Sequence, residues 1–225
     1  MRLRSGGEVE GYGLGTLPEA MVLAGWRRSV AQLYPDVRLN ARPRAAWRAR
    51  RGGRDALARY HPLSPIDPAA RSGFAGLRYY DYDEGLRFAV DVEAATSGET
   101  IETDLGAGGI IRMCAVARTN GLTDALGAEL TIYWIEGYGG GLFLPFADAT
   151  SGDETYGGGR YILDTIKGAD LGDCRGRTVV DFNFAYNPSC NYSEAWTCPL
   201  APPENRLPVP VRAGEKVPAE PGPVP

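Results

Sequence analysis

Between residues 86 and 93 the chain alternates, with Leu86, Phe88, Val90 and Val92 on one side and Arg87, Ala89, Asp91 and Glu93 on the other. A period of two is that of a strand with one buried face. Further short apolar or alternating runs follow at 100–104, 110–117, 130–136, 142–146, 160–164 and 178–184. Turn-forming clusters at 106–109, 120–121 and 137–141 divide them, and their glycines supply the positive φ that tight hairpins need. About eight short strands with no helices between them predict a mainly β fold, an antiparallel β-barrel or a curled two-sheet sandwich.

The pattern changes on either side of this zone. Thr16, Pro18 and Glu19 have the spacing of a capping box, and Leu17, Met21, Ala24, Val30, Leu33 and Tyr34 lie roughly on one helical stripe that ends at Pro35. A second helix is predicted over 44–60, where Gly52-Gly53 should weaken or split it. Pro62, Pro65 and Pro68 then make 61–68 an extended connector. Prolines return after residue 198, so that stretch runs extended as a strap over the β domain. The expected division is an N-terminal helical extension over 1–46, a single β domain over 47–217 and a disordered tail over 218–225.

Composition narrows the classes. Gly and Pro make up 47 of 225 residues, which argues against a helical bundle. The net charge of −4 makes no case for nucleic acid or an anionic membrane as partner. Residues 42–59 nevertheless hold seven Arg against Asp55 alone. That run reads either as a docking patch for phosphate or an acidic partner, or as a solvated helix face. No run approaches the ~18 apolar residues of a membrane span, and nothing near residue 1 has the form of a signal peptide, so cytoplasmic residence is expected. A single His, His61, excludes any site needing several imidazoles and is most simply structural beside the proline connector.

Three stretches concentrate unusual residues: 144–161 (LPFADATSGDETYGGGRY), 180–190 (VDFNFAYNPSC) and 198–215 (CPLAPPENRLPVPVRAGE). Through these motifs, in this order, the chain resembles a family of uncharacterised bacterial and archaeal proteins catalogued as domain of unknown function 1684. The resemblance spans roughly 47–217 and includes a strand expected at 74–80 (FAGLRYY). The first 45 residues and the unusually apolar region 108–120 depart from it. It implies a compact, mainly β domain with no assigned activity.

The residues themselves say more. Gly157, Gly158 and Gly159 allow close backbone approach, so their turn, with Arg160, has the means to hold an anion. Alternatively Arg160 pairs with Glu154 or Asp148 and locks a hairpin. Asp181 and Asn183 share one face of the strand expected at 178–184. If that face lines the barrel interior beside Tyr161 or Tyr186, the Asp181 carboxylate has a raised pKa suited to acid–base work. If it faces solvent, Asn187-Pro188 is a simple turn. Glu204, among prolines, belongs to a tied-down strap or to a lid. Cys190 and Cys198, with seven residues between them, are buried small hydrophobes, a local bridge or a redox-sensitive pair.

This inventory leads to a cofactor-independent enzyme holding a small, largely apolar organic molecule, such as a secondary metabolite, inside the barrel. Cyclisation, isomerisation or hydrolysis fits carboxylate and Tyr groups. Asp181, Tyr156 and Glu154 are the catalytic candidates. Arg160, Tyr161, Asn183, Tyr186, Asn187, Trp134 and Glu204 are the substrate-binding ones. No cofactor or metal is expected, and a homodimer stays open. The alternatives are a non-catalytic binding barrel, or an interaction protein docking through the Arg-rich helix.

Overall fold

A computed structural model of the chain describes residues 18–106 and 109–218. It opens with three helices: α1 (Glu19–Gln32), α2 (Pro35–Leu39) and α3 (Pro43–Tyr60). Pro35 and Pro43 sit in the first turns of α2 and α3, where a missing N–H leaves no bond unmade. Thr16 of the expected capping box lies outside the described residues, as does the tail after residue 218. Val22, Val30 and Tyr34 are the buried positions of the first helical stretch, whereas Met21 is turned to solvent.

Gly52-Gly53 do not split α3, contrary to expectation. A Cβ at Gly53 would collide with Leu33 Cδ2, so this glycine lets the end of α1 approach α3. Packing here outweighs the helix propensity that glycine lacks.

The β domain is one eight-stranded, antiparallel sheet. Its strands are β1 (Arg87–Ala94), β2 (Thr100–Asp104), β3 (Ile110–Asn120), β4 (Thr131–Ile135), β5 (Gly141–Phe146), β6 (Arg160–Asp164), β7 (Asp173–Cys174) and β8 (Arg177–Asp181). The order is β6-β5-β4-β3-β1-β8-β7, with β2 paired to β3 off this path. The long β3 holds β2 along residues 110–114 and β1 along 117–120. An isolated bridge from Tyr161 to Tyr186 brings the chain after β8 back to β6. The sheet is thereby curled into a half-barrel.

One expected strand is shortened and another is absent. The run at 178–184 ends at Asp181, because the Asp181 side chain accepts from Asn183 N and caps a 3-10 turn over Phe182–Phe184. At 74–80 no strand forms, and only Tyr79 bridges, to Glu215.

Both faces of the sheet are covered. On one, Val90, Ile132, Leu144, Phe146, Ile162 and Val180 pack against α4 (Thr123–Leu126) and the strap residues Leu207 and Val211. On the other, Met113, Tyr133, Phe143, Tyr161 and Val179 meet Val30, Tyr34 and Trp47 of the helices. Trp47 Nε1 donates to the Asn183 carbonyl at 2.9 Å and pins α3 to the sheet. The 46/47 division drawn from the sequence therefore falls inside α3, and residues from both sides of it share this second cluster.

The proline strap is knitted down by backbone bonds such as Leu207 N to the Ala147 carbonyl at 2.8 Å and Lys216 N to the Arg78 carbonyl at 2.9 Å. Asn205 is its main side-chain anchor. It is fully buried, its Oδ1 accepts from Thr131 N at 2.7 Å, and its Nδ2 donates to the carbonyls of Thr131 at 2.8 Å and Pro145 at 2.7 Å. Asn205→Ala strands a buried backbone donor and is expected to cost about 2–4 kcal/mol. Urea unfolding checks this, and a loss below about 0.5 kcal/mol would show the strap is held without it.

Candidate functional site

A cavity of about 470 Å³ lies between the helices and the second face of the sheet. Leu23, Trp26 and Val30 form its α1 wall; Arg50, Arg54 and Ala58 come from α3; and Ile111, Ile135, Phe143 and Tyr161 form the sheet wall. The segment 186–199 completes it with Tyr186, Asn187, Tyr192, Trp196 and Cys198. Arg27 and Thr197 are exposed liners that mark its mouth. Its size and its largely apolar lining with a few polar groups are those of a small-molecule site.

The cavity is not in the expected place. The cavity was expected inside a barrel; instead the face toward the strap is filled by its own side chains, and the cavity lies on the opposite face, under α1 and α3.

Its electrostatics are set by arginine. Arg54 forks onto Glu215, with Nε on Oε1 and an Nη2–Oε2 distance of 3.1 Å. Burial disfavours the Glu215 anion, but Arg54 outweighs it and holds the carboxyl below its ordinary pKa. Lys167 pairs with Asp164 at 2.6 Å. Arg50 has no such partner among the described residues. It is 2% exposed, and its Nη2 donates to the Tyr34 hydroxyl at 2.9 Å, while Nε and Nη1 bond nothing. The rings of Tyr34, Phe184 and Tyr186 lie 5.6, 6.0 and 5.6 Å from its guanidinium. These faces stabilise a cation but do not neutralise it.

Of the residues singled out from the sequence, Tyr161, Tyr186 and Asn187 meet in the cavity. The Tyr186 hydroxyl donates to Asp164 Oδ2 at 3.2 Å, and burial pushes its pKa well up. Asn187 Nδ2 donates to the Lys216 carbonyl at 2.9 Å, while its buried Oδ1 bonds nothing.

The others are elsewhere. Arg160 does not hold an anion beside the glycine turn. It is completely buried and ion-paired to Asp148 at 2.8 Å. Its remaining bonds, to the carbonyls of Val211, Ala213 and Glu215, fasten the strap. Glu154 is ion-paired to Arg212 at 2.7 Å, accepts from the Tyr80 hydroxyl at 3.0 Å and lies outside the cavity. Trp134 is 41% exposed because it alternates with Tyr133 and Ile135 and points away from the cavity. Glu204 accepts from the Tyr133 hydroxyl and is part of the strap. The Tyr156 hydroxyl sits 3.5 Å from Cys190 Sγ.

Asp181 and Asn183 are buried together rather than side by side on a strand face. Asn183 is fully enclosed and bonded through both amide atoms to the Asp83 backbone, at 2.7 and 2.8 Å. Asp181 borders a separate small pocket of about 150 Å³ with Asn40 and Arg87. His61 is structural, with Nδ1 accepting from Leu63 N at 3.1 Å and its ring edge-on to Trp26 at 5.0 Å.

Sequence reasoning missed Arg50 and Arg54, having read the arginine run as one solvated or docking face. The run is split: Arg42, Arg44 and Arg48 are exposed, while Arg50 is buried. The spacing Trp47, Arg50, Arg54, Ala58 follows one helical stripe, and an arginine stripe continuous with a Trp and an Ala was the available signal.

The model of a family described as "Protein of unknown function (DUF1684)" matches residues 72–216, and the chain belongs to that family. The matched region takes in the whole sheet and the strap and begins after α3. The chain is also similar to an uncharacterised protein of Haloarcula marismortui solved in solution by NMR. The two are 31% identical with a TM-score of 0.52, over 76% of this chain and 92% of the other. No curated protein matches. No helix of the described residues is long and apolar enough to cross a membrane, and no group of His, Cys, Asp and Glu among them is placed to hold a metal ion.

Burial pushes the Asp181 pKa up to about 6, against hydrogen bonds from Asn183 and Tyr82 and the charge of Arg87. A carboxyl whose folded pKa exceeds its unfolded value of about 4 binds more protons when folded, so its contribution to stability falls as pH rises from about 4 to 6. Asp181→Asn removes that dependence. Between pH 4 and 7 the stability difference between variant and parent is expected to move by about 2 kcal/mol in the variant's favour. Denaturant unfolding at both pH values measures it; a difference that does not change with pH overturns the assignment.

Proposed function

We propose that the chain binds a small, largely apolar organic molecule bearing an acidic group in the cavity between α1, α3 and the sheet. One observation carries this reading: Arg50 borders an apolar cavity while buried, and among the described residues two of its guanidinium nitrogens are unbonded and no carboxylate is ion-paired to it, Glu215 acting on it only at longer range while paired to Arg54. A buried guanidinium whose donors go unbonded, and whose counter-charge is already hydrogen-bonded to another arginine, is costly. An acidic ligand head supplies a second counter-charge, and the apolar walls take its body. Asn187 Oδ1, also buried and unbonded at the wall, offers an acceptor to a hydroxyl or N–H of the same ligand.

The anionic fluorophore 8-anilinonaphthalene-1-sulfonate and the acid–alcohol pair decanoate and decanol probe this directly. The fluorophore is expected to bind the folded chain, and decanoate to displace it at far lower concentration than decanol. At a hundredfold excess over its Kd, decanoate should add about 2.7 kcal/mol of stability, roughly 5–10 °C in Tm for a chain of this length. Arg50→Met, with folding checked by circular dichroism, should lose the preference for the acid, and Ile111→Trp should lose both ligands by filling the cavity. Equal competition by decanol, or an Ile111→Trp chain that binds as before, defeats the reading.

A second reading, a cofactor-independent proton-transfer enzyme, is favoured by Asp164. This carboxylate lines the cavity and holds both the Tyr186 hydroxyl and Lys167, so the wall carries a carboxylate, a phenol and an amine in one hydrogen-bonded group. Exchange of the α C–H of 2-oxodecanoate in D2O, followed by NMR, tests it. Exchange should accelerate with the parent chain and revert in Asp164→Asn while binding persists; a rate no faster than in protein-free buffer removes the enzyme reading and leaves the binder.

A further inference from the structure

The pocket of about 150 Å³ beside Asp181 lies between α2 and the β1–β8–β7 edge of the sheet, and it shares no lining residue with the larger cavity. Its charged lining is balanced: Arg38 and Arg87 stand against Asp173 and Asp181. Val37, Leu171 and Val179 give it one apolar side.

Neither half of the charged set is saturated. Asp181 is 1% exposed. Its Oδ1 accepts from Asn183 N at 3.0 Å and Asn183 Nδ2 at 2.8 Å. Its Oδ2 has only longer contacts, from the Tyr82 hydroxyl at 3.3 Å and Arg87 Nε at 3.5 Å. Burial raises the Asp181 pKa in spite of these contacts, so the carboxylate present at neutral pH is short of donors. Among the described residues the Arg87 guanidinium has Asp181 as its ion partner and makes no hydrogen bond. Arg38 donates through Nη1 to the Asp170 carbonyl at 2.8 Å and is ion-paired to no carboxylate among them.

We propose that this pocket binds a small α-amino acid as its zwitterion, with the ammonium on Asp181 Oδ2, the carboxylate on Arg87 and Arg38, and a short side chain against Val37 and Leu171. Three features narrow the ligand to that class. A simple anion that satisfied the two arginines would lie against two carboxylates, and a simple cation on Asp181 would lie against two guanidinium groups, so balanced charge selects a ligand carrying both signs. The Asp181 and Arg87 charges lie 3.5 Å apart, and an α-amino acid carries its own two charges on a single carbon, so it pairs with both at once, head to tail. A cavity of this volume holds a molecule of about six non-hydrogen atoms, which is the size of alanine. Both new contacts are charge-assisted, and one of them is made to a buried carboxylate, where such bonds are strongest. The site is independent of the acid-binding reading of the larger cavity.

The test is a titration of the purified full chain with L-alanine, followed by two-dimensional 1H–15N NMR. The amides of residues 87, 179 and 181 are expected to shift and to saturate. Propanoate, which lacks the ammonium, and ethylammonium, which lacks the carboxylate, should each bind at least about tenfold more weakly, as loss of one partner from a charge pair implies. Asp181→Asn and Arg87→Gln should each weaken L-alanine by at least about tenfold; Arg87 is a half-exposed side chain, so the second variant keeps its fold. Ile111→Trp, which fills the larger cavity, should leave L-alanine binding unchanged. Shifts that do not saturate by about 50 mM, the weakest affinity expected of a ligand this small, overturn the proposal. So do saturable shifts that fall away from residues 87 and 179–181, propanoate or ethylammonium binding as well as L-alanine, or undiminished binding by either charge variant.

Discussion

The Glu215 carboxylate is the group on which the rest of the structure depends. It is fully buried near the end of the strap, where an unpaired charge would cost several kcal/mol. It is matched from four directions: Arg54 of α3, the hydroxyls of Tyr79 at 2.8 Å and Tyr192 at 2.9 Å, and Asn187 N at 2.8 Å. Its own backbone carbonyl accepts from Arg160 at 3.2 Å. Helix, lead-in segment, post-sheet loop and strap must therefore all be in place for one charge to be tolerated. This makes docking of the helices cooperative with closure of the strap, although the two cover opposite faces of the sheet.

The same constraint shapes the cavity. Arg54, Asn187 and Tyr192 line it, so its wall is fixed by contacts to Glu215 and not by collapse of side chains into free space. At one end of the helical roof Trp47 and Tyr34 close onto the sheet, whereas at the other the roof stands off. Were a void of 470 Å³ sealed and dry, it would cost about 11 kcal/mol at the measured price per Å³ of an apolar cavity, as much as the whole stability of a typical domain. The exposed mouth at Arg27 and Thr197 removes that cost by admitting solvent or ligand.

What the sequence made legible follows from periodicity. The strands read from alternation are present, since alternation is a local consequence of a sheet with two different faces, and the glycine clusters do mark its turns. The strap was legible because proline forbids regular pairing. The location of the cavity was not, because β5 and β6 are buried on both faces and carry no alternation to say which neighbour stands off. Arg50 was hidden by its type: charge argues for solvent, and only its stripe with Trp47 and Ala58 argues otherwise. Asp181 and Asn183 were misplaced because the alternation Asp-Phe-Asn-Phe resembles a strand, while an Asp side chain capping two residues ahead forms a turn from the same letters. Arg160 shows the opposite case, in which the more modest alternative, a locked hairpin, is what the Asp148 pair produces.

The segment from Tyr186 to Pro199 joins these features into one mechanical unit. It leaves the sheet at the Tyr161–Tyr186 bridge, is held at Asn187 and Tyr192 by Glu215, and is caught again where the Tyr161 hydroxyl bonds the Pro199 carbonyl. Between those anchors it presents Trp196 and Thr197 to the cavity. Anything that fixes this stretch of backbone acts on the cavity mouth, and anything seated at the mouth acts back on the stretch. Such coupling is reciprocal in free energy.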